Sequence, residues 1–353
     1  MAPKNARIQD VAREAGVSTA TVSRALSNPD MLTKTTREAV FDAIEKTGYR
    51  VNQAARNLRK QRAGAVLILV PNLGNPFFSQ ILAGINSVLA ESEFSVLIAD
   101  SSAERQKGKL AEFFMASRVD GMISLDGDLS EEELKRFDQG AGSNKIVFAC
   151  EWVAHSDYPS VRVDNAMGAQ LAVRHLYDLG HRKIAHVTGP ECNVLTKERR
   201  QGMVTERERL GLETRPEWII RGDFSVQSGL DAAQRVFAME DRPTAVFCAS
   251  DEVAFGLISG LKALSIRVPE DISVVGFDDI DLAQVFVPSL TTIRQDRHRI
   301  GARAAEMLLQ SLKADSAGPN AQNMGPEVLS VDLVARESTS QAAQGHSPSI
   351  RRI

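Results

Sequence analysis

A short stretch near the N-terminus carries side chains suited to contacting DNA. Residues 6–28 read as a helix, a tight turn at Gly16 and a second helix that begins after the N-cap Ser18. In that second helix, Val22 and Leu26 face inward at helical spacing. The side chains left facing outward are small and polar apart from one arginine: Thr19, Ala20, Ser23 and Arg24. Because arginine binds guanine edges and hydroxyls bind phosphate, this pattern predicts a helix-turn-helix, with an ordinary helical hairpin as the alternative.

Basic residues are concentrated at the same end of the chain. Residues 1–62 contain 12 lysines and arginines against 6 acidic residues, whereas the whole 353-residue chain has a formal net charge of −3. The rest of the chain therefore carries a charge of −9. This asymmetry predicts a head that binds phosphate and a body that does not.

Length and composition are those of a multidomain globular protein. A chain of 353 residues with 43% hydrophobic and 25% charged residues favours two or three domains. No apolar run approaches the length of a bilayer span, and the N-terminus has no apolar signal core, so we expect a cytoplasmic protein with no membrane partner. The odd number of cysteines, at Cys150, Cys192 and Cys248, indicates reduced thiols.

The sequence pattern changes after the basic head. Within the head, a third helix over 34–47 is expected to bury Val40, Phe41 and Ile44. From residue 65, two series of short apolar strands alternate with amphipathic helices, which indicates parallel sheets covered on both faces. The predicted fold class is an N-terminal all-α helix-turn-helix domain plus an α/β body of two doubly wound parallel-sheet lobes, with a ligand held between them. Residues 327–338 read as one last strand, and 339–353 as a disordered tail.

Several motifs match a known family. They include VSTATVSRALSNP (17–29), NPFFSQILAGI (75–85), LGHRKIAHVTGP (179–190), FCASDEVAFG (247–256) and VPEDISVVGFDDIDLA (268–283). On these motifs the chain resembles the lactose/galactose repressor family over residues 6–338, and most of all the cytidine repressor branch. The body of such a protein resembles periplasmic sugar-binding proteins.

The resemblance implies a division into domains. Residues 1–50 would form the DNA-binding domain, 51–62 a hinge helix, and 63–338 an effector-binding and dimerisation domain, followed by the tail. The chain would cross between lobes near Asp164, Ile293 and Pro326. The implied lobes are discontinuous: lobe one is 63–163 with 294–320, and lobe two is 164–293 with 326–338.

The resemblance also assigns residues to the DNA interface. Thr19 and Ala20 would choose bases, and Arg24 would contact guanine. The side chains expected to anchor phosphates are Ser18, Thr21, Ser23 and Asn28. In the hinge, Leu58 would insert between base steps in the minor groove, flanked by Ala55, Arg56 and Arg59. Packing of Leu58 on the body is the alternative interpretation.

Candidate effector contacts lie at the predicted ends of strands and starts of helices. Arg199 and Asp278 match the arginine and the acid with which the family binds its ligands. The other candidates are aromatic rings for stacking and polar groups for hydrogen bonding: Asn75, Phe77, Phe78, Asp100, Asp126, Glu151, Trp152, Asn193, Phe224 and Asp251. We expect one of the two adjacent phenylalanines to face the ligand and the other the core, with burial of both in the core as the alternative. For Asp251, helix capping is an alternative role.

These expectations describe a regulator and not an enzyme. The chain lacks the nucleotide-binding, metalloprotease and nucleophile-elbow motifs, and its six histidines show no metal-ligand spacing, so we expect no catalytic residue, metal or cofactor. The predicted partners are a near-palindromic operator, a second copy of the chain and a small-molecule effector, which is a sugar that releases the repressor from a carbohydrate operon. A nucleoside effector is one alternative, and a sugar-binding protein without DNA function is another. One departure from the family is Asp296, where a proline is usual, which could loosen the crossing.

Overall fold

The structure is a computed structural model that describes residues 6–50, 62–102, 119–141, 145–154, 156–314 and 325–342. The predicted hinge residues Ala55, Arg56, Leu58 and Arg59 lie outside this part of the chain. The molecule divides into two compact units, Met1–Arg62 and Ala63–Ile353.

The N-terminal unit is a three-helix domain. Its helices are α1 (Ile8–Glu14), α2 (Thr19–Ser27) and α3 (Lys34–Thr47), with a 3₁₀ turn at Pro29–Met31. The Ser18 hydroxyl caps α2 by accepting a hydrogen bond from the Thr21 amide at 3.1 Å. Val22 packs with Val40 in the small core, but Phe41 is 45% exposed and the prediction that it is buried was wrong. Ala43, one helical turn after Val40, takes the buried position instead.

The first lobe of the body contains a six-stranded parallel sheet in the order β11-β5-β4-β3-β1-β2. Its strands are β1 (Ala65–Val70), β2 (Ser95–Asp100), β3 (Gly121–Ser124), β4 (Ile146–Ala149), β5 (Ser160–Val163) and β11 (Glu327–Leu329). Its described helices are α4 (Phe77–Leu89), α5 (Glu131–Ala141) and α10 (Arg297–Ala314). The central strand β1 is buried along its whole length, as expected for a strand covered on both faces.

The second lobe repeats this plan in the order β12-β10-β9-β8-β6-β7. Its strands are β6 (Ile184–Val187), β7 (Ile219–Ile220), β8 (Ala245–Cys248), β9 (Ser273–Asp278), β10 (Thr291–Arg294) and β12 (Asp332–Val334). Its helices are α6 (Asn165–Asp178), α7 (Val194–Arg209), α8 (Val226–Ala238) and α9 (Asp251–Ala263). Only β12 runs antiparallel to its neighbour among the described strands. The predicted fold class is confirmed.

The described chain passes between the lobes three times. The first passage follows β5 at Asp164, and the second is formed by Gln295 and Asp296, between β10 and α10. The third passage differs from the prediction, which placed a crossing near Pro326 and one last strand after it in lobe two. Glu327–Leu329 pairs with β5 in lobe one, whereas Asp332–Val334 pairs with β10 in lobe two, so the crossing lies at Ser330 and Val331. Each half of the segment completes the edge of a different sheet.

Helices α4 and α10 touch through their backbones in lobe one. A Cβ atom added to Gly84 would lie 2.0 Å from the carbonyl oxygen of His298, and one added to Gly301 would lie 2.0 Å from that of Ile81. Neither distance leaves room for a side chain. The two glycines therefore fasten α10 to lobe one immediately after the second crossing.

The start of the predicted disordered tail is ordered. The Ser340 amide donates to the Ser273 hydroxyl at 3.0 Å, and the Ala342 amide donates to the Leu179 carbonyl at 2.8 Å. His181 Nε2 also lies 3.1 Å from the Ser340 carbonyl oxygen. The prediction that disorder begins at residue 339 was therefore wrong, because Ser340 and Ala342 are hydrogen-bonded to residues of lobe two. Residues 343–353 lie outside the described part.

Candidate functional site

The exposed face of α2 presents the residues predicted to contact DNA. Thr19, Ala20, Ser23 and Arg24 are all exposed, whereas Val22 and Ala25 fill the core behind them. Several basic side chains of the head form ion pairs, as Arg13 does with Asp10 at 2.9 Å. Arg24 has no carboxylate within 4.0 Å among the described residues, so its guanidinium is available to a ligand.

The flanking positions behave as helix caps. Ser18 caps the start of α2, and its hydroxyl lies 2.9 Å from that of Thr21. Asn28 is exposed at the C-terminal end of the same helix. These three side chains surround the recognition face at the positions expected for phosphate contacts.

In the body, the carboxyl ends of the two sheets face each other across a cleft. An apolar cluster joins the lobes there, because Trp152, Val153 and Tyr158 of lobe one pack with Leu195 and Phe224 of lobe two. The Arg162 guanidinium lies 4.0 Å from the centre of the Trp152 ring. The structure thus brings two predicted site residues, Trp152 and Phe224, into the same cluster.

Arg199 is at the centre of the polar part of this cleft. Only 2% of the residue is exposed, and its guanidinium lies 3.7 Å from the centre of the Phe277 ring. Its Nε donates to Asn165 Oδ1 at 2.9 Å, and its Nη1 donates to the Ala249 carbonyl. Its Nη2 lies 3.8 Å from Asp278 Oδ1. Since the guanidinium is already engaged on three sides, it orients protein groups and offers little to an anionic ligand.

Asp278 is a buried acid whose backbone has a positive φ angle. It lies at the end of β9 with a φ of +120°. Gln295, from the second crossing, donates to its Oδ1 at 2.7 Å. Burial raises the pKa of Asp278 to about 7, although Arg199 and Arg297 oppose this shift. Near neutral pH the carboxyl group is therefore divided between its ionised and protonated forms.

Glu151 is the matching acid of lobe one. Its Oε2 accepts a hydrogen bond from the Gly127 amide at 3.0 Å. Burial and the nearby charge of Asp126 raise its pKa to about 7, while the Gly127 amide and the Asn193 side chain lower it. Asn193 belongs to lobe two, where its side-chain oxygen caps α7. Glu151 and Asn193, two of the candidate effector residues, thus meet between the lobes.

Two other predicted acids are already engaged within lobe one. Asp126 is buried and accepts hydrogen bonds from the Ser101 hydroxyl and, at 2.8 Å, from the Asp128 amide. Asp100 accepts from the Leu73 amide at 3.2 Å. Both lie at the carboxyl ends of strands and accept these hydrogen bonds from residues of their own lobe.

Asp251 ties elements of lobe two together. One carboxylate oxygen accepts from the Thr292 hydroxyl at 2.5 Å, and the other accepts from the Ile280 amide at 2.8 Å. The cap of α9 is the Ser250 side chain, so Asp251 does not have the alternative capping role. Burial raises the pKa of Asp251 well above its usual range. Its geometry favours holding β10 and the loop after β9 over contacting an effector.

The aromatic pair at the start of α4 lies in the core. Phe77 and Phe78 are both buried, and their rings meet edge to face with centres 5.1 Å apart. The expectation that one ring would face the ligand was therefore wrong, and the alternative that both belong to the core agrees with the structure. Asn75 turns its side-chain oxygen to the Phe77 amide at 2.8 Å and so orders the start of the helix.

Sequence reasoning missed three polar residues of the cleft. Asn165 and Gln295 each hold one of the central charged groups. Thr196 has a buried hydroxyl with no hydrogen-bond partner in the described structure, and it lies one helical turn before Arg199. Helical spacing from Arg199 was the signal that could have found it. Among the described residues, no group of three or more His, Cys, Asp or Glu could hold a metal ion.

Comparison with known proteins agrees with both units. Residues 7–52 match the model described as bacterial regulatory proteins, lacI family, and residues 173–339 match that of a periplasmic binding protein-like domain. The HTH-type transcriptional repressor CytR of Escherichia coli (strain K12) is 38% identical over 95% of this chain and 96% of its own. The chain belongs to the lacI family. It is an effector-responsive, DNA-binding transcriptional regulator and not an enzyme.

Other relatives show how widely this regulator's architecture is shared. The repressor PurR of Vibrio vulnificus (strain CMCP6) is 34% identical over 94% of this chain and 99% of its own. A lac repressor dimer bound to operator and the anti-inducer ONPF has a TM-score of 0.80 and 28% identity, with 96% of this chain and all of the other covered. A CelR–cellobiose complex has a TM-score of 0.71 and 29% identity, with 95% and 100% coverage. No helix in the described part of the chain is long and apolar enough to cross a membrane.

Proposed function

We propose that this regulator is a cytoplasmic homodimeric repressor of a carbohydrate operon, released from its operator by a small sugar. The observation that carries the effector class is the pair of buried acids, Glu151 and Asp278, on opposite sides of a cleft that also holds aromatic rings. Buried carboxylates accept hydrogen bonds from hydroxyl groups, and aromatic faces stack on sugar rings. A related structure is a complex with cellobiose.

A nucleoside is the second candidate effector. Trp152 and Phe224 offer rings on which a base could stack, and the sequence resembles most the cytidine repressor branch. The two candidates share the hydroxyl groups of a sugar ring. They differ in that only a nucleoside has a planar base, which would add to the affinity by stacking on these rings.

On DNA, the two recognition helices of a dimer would read the halves of a near-palindromic operator. Thr19, Ala20 and Arg24 would contact bases, and Leu58 of each hinge would kink the centre. The structure of a relative as a dimer on its operator supports this arrangement. Exposed apolar side chains support a dimer contact: Leu97, Ile98, Leu282, Val285 and Val287. The first two lie on β2, an edge strand that a second copy could cover.

A thermal-shift screen of the full chain tests the effector class. The panel pairs sugars with nucleosides that contain them, for example D-ribose with cytidine and adenosine, and adds cellobiose. A ligand that binds the folded state raises its apparent stability, by about 2.7 kcal/mol at 100 times its Kd. We expect stabilisation by a sugar and weaker binding of operator DNA in its presence. Stabilisation by nucleosides alone would replace the sugar with the second candidate.

The ionisation of the two buried acids predicts a pH dependence of effector binding. With pKa values of about 7, Glu151 and Asp278 are roughly one-tenth ionised at pH 6 and nine-tenths ionised at pH 8. Hydroxyl donors bind the ionised form, so the affinity for the stabilising sugar should rise about tenfold over this range if one of the acids binds it, and about 100-fold if both do. Isothermal titration at several pH values measures it. The variant Glu151→Gln removes one of the two ionisations, so its pH profile should be shallower than that of the unaltered protein. A profile independent of pH in the unaltered protein would contradict the prediction.

A further inference from the structure

Arg297 occupies the junction between the second crossing and lobe one. It is the first residue of α10, directly after Gln295 and Asp296, and only 6% of it is exposed. The glycine contact between α10 and α4 fixes this helix to lobe one. The guanidinium at its start nevertheless reaches both lobes.

The contacts of Arg297 connect the two lobes. In lobe one, its Nη1 donates to the Phe77 carbonyl at 3.4 Å. In lobe two, its Nη2 donates to the Asp279 carbonyl at 3.1 Å and lies 3.3 Å from Asp281 Oδ1. One buried cation therefore holds the first residue of α4 and the loop that follows β9. Rotation of one lobe on the other changes its distance to one of these groups.

The loop held by Arg297 is the loop that begins with Asp278. Asp278 and Asp279 have φ angles of +120° and +52°, a conformation that non-glycine residues rarely adopt. The Asp279 carboxylate is fixed by Arg294 at 2.6 Å, directly before the second crossing, and by Arg336 at 2.7 Å, which follows β12. Asp279 thus connects the loop that begins with Asp278 to Arg294 and Arg297, on either side of the second crossing.

We propose that Arg297 is the positioning residue through which occupancy of the cleft at Asp278 sets the relative orientation of the two lobes. An effector that hydrogen-bonds to Asp278 moves the strained loop, and Arg297 converts that movement into a rotation of lobe two against α10. The coupling to an effector rests on the proposed effector site. The role of Arg297 in holding the lobes does not, and the two are measured separately.

Distance measurements between lobes in the full chain test the holding role without a ligand. Spin labels are placed on Lys135→Cys in lobe one and Arg221→Cys in lobe two, both exposed, in a background with the exposed Cys192 changed to Ser. Dilution with excess unlabelled protein limits the signal to pairs within one chain. We expect Arg297→Gln to shift the populations of lobe orientations about tenfold, which corresponds to the loss of one hydrogen bond to a charged group.

Arg303→Gln is the matched control. Arg303 lies on the same helix and pairs with Glu306 and Glu327, both in lobe one, so its loss should leave the distances unchanged. If Arg297→Gln does not fold, Asp281→Ala removes one lobe-two contact from an exposed position and should shift the populations in the same direction. The holding role is overturned if the variants at Arg297 and Asp281 both have the same distances between lobes as the unaltered protein. It is also overturned if the control Arg303→Gln shifts these distances as much as Arg297→Gln does.

The stabilising sugar of the thermal-shift screen tests the coupling. It should shift the populations in the unaltered protein and shift them less in Arg297→Gln. A sugar that binds but leaves the distances of the unaltered protein unchanged overturns the coupling while leaving the proposed effector class intact. Failure of every sugar to bind overturns the effector class and the coupling but not the holding role.

Discussion

Replacing Arg199 by alanine should destabilise the body and abolish the response to effector. The substitution removes hydrogen bonds to Asn165 and to the Ala249 carbonyl and leaves Asp278 without its nearest cation. A buried acceptor left without its hydrogen-bond partner costs about 1–3 kcal/mol, and the substitution leaves two such acceptors, at Asn165 and Ala249. Without Arg199 the pKa of Asp278 rises further, so the acid is protonated at neutral pH and no longer accepts hydroxyl hydrogen bonds as a carboxylate.

Chemical unfolding of the full chain measures the first effect, and thermal shift with the stabilising sugar measures the second. The neighbouring Arg200 is the matched control because it is exposed and lies on the same helix. Arg200→Ala should change stability by less than about 0.5 kcal/mol and keep the response. An Arg199→Ala variant that unfolds like the unaltered protein and still responds would show that the cleft is not the effector site.

Replacing Arg24 by alanine should weaken operator binding by about 10- to 100-fold without unfolding the head. A good bidentate contact between arginine and guanine discriminates by about 1–3 kcal/mol. Because Arg24 is exposed and has no carboxylate partner among the described residues, its removal breaks no contact that holds α2 to the core. Binding to random duplexes, which depends on phosphate contacts, should fall much less.

The operator for this measurement is obtained by selecting duplexes that bind the full chain from a random pool. Titration at fixed salt then compares the unaltered protein with Arg24→Ala and with Arg13→Ala. Arg13 is also exposed, but it lies on α1 and pairs with Asp10, so its loss should change specificity little. Equal losses for the two variants, or equal losses on operator and random DNA, would contradict a base-reading role for Arg24.

Local signals predicted the head well because each depends on neighbours in sequence. The Ser18 cap and the end of α3 at Gly48, whose φ is +65°, follow from rules that act within one helical turn. Phe41 was misplaced because its apolar side chain lies beside the buried stripe but not in it. A hydrophobic residue at a boundary position is decided by what packs against it, and the sequence does not contain that information.

The cleft was predicted in part for a related reason. Glu151 and Asp278 lie at strand ends, which converge in any doubly wound sheet, whereas Arg199 lies within α7 and was assigned by the family resemblance. The hydrogen bonds that decide their roles come from residues far away in sequence, such as Gln295 for Asp278. The split of residues 327–334 between two sheets depends on which strand edges are left open, so only the assembled lobes reveal it.

The brevity of the three crossings has a mechanical consequence. Each consists of one or two residues, and the close backbone contact at Gly84 and Gly301 fixes α10 to lobe one. Three such short connections resist separation of the two lobes but permit one lobe to rotate on the other. Binding of an effector is therefore expected to change the angle between the lobes more than the distance between them. Any part of the protein that responds to the effector must then respond to this rotation.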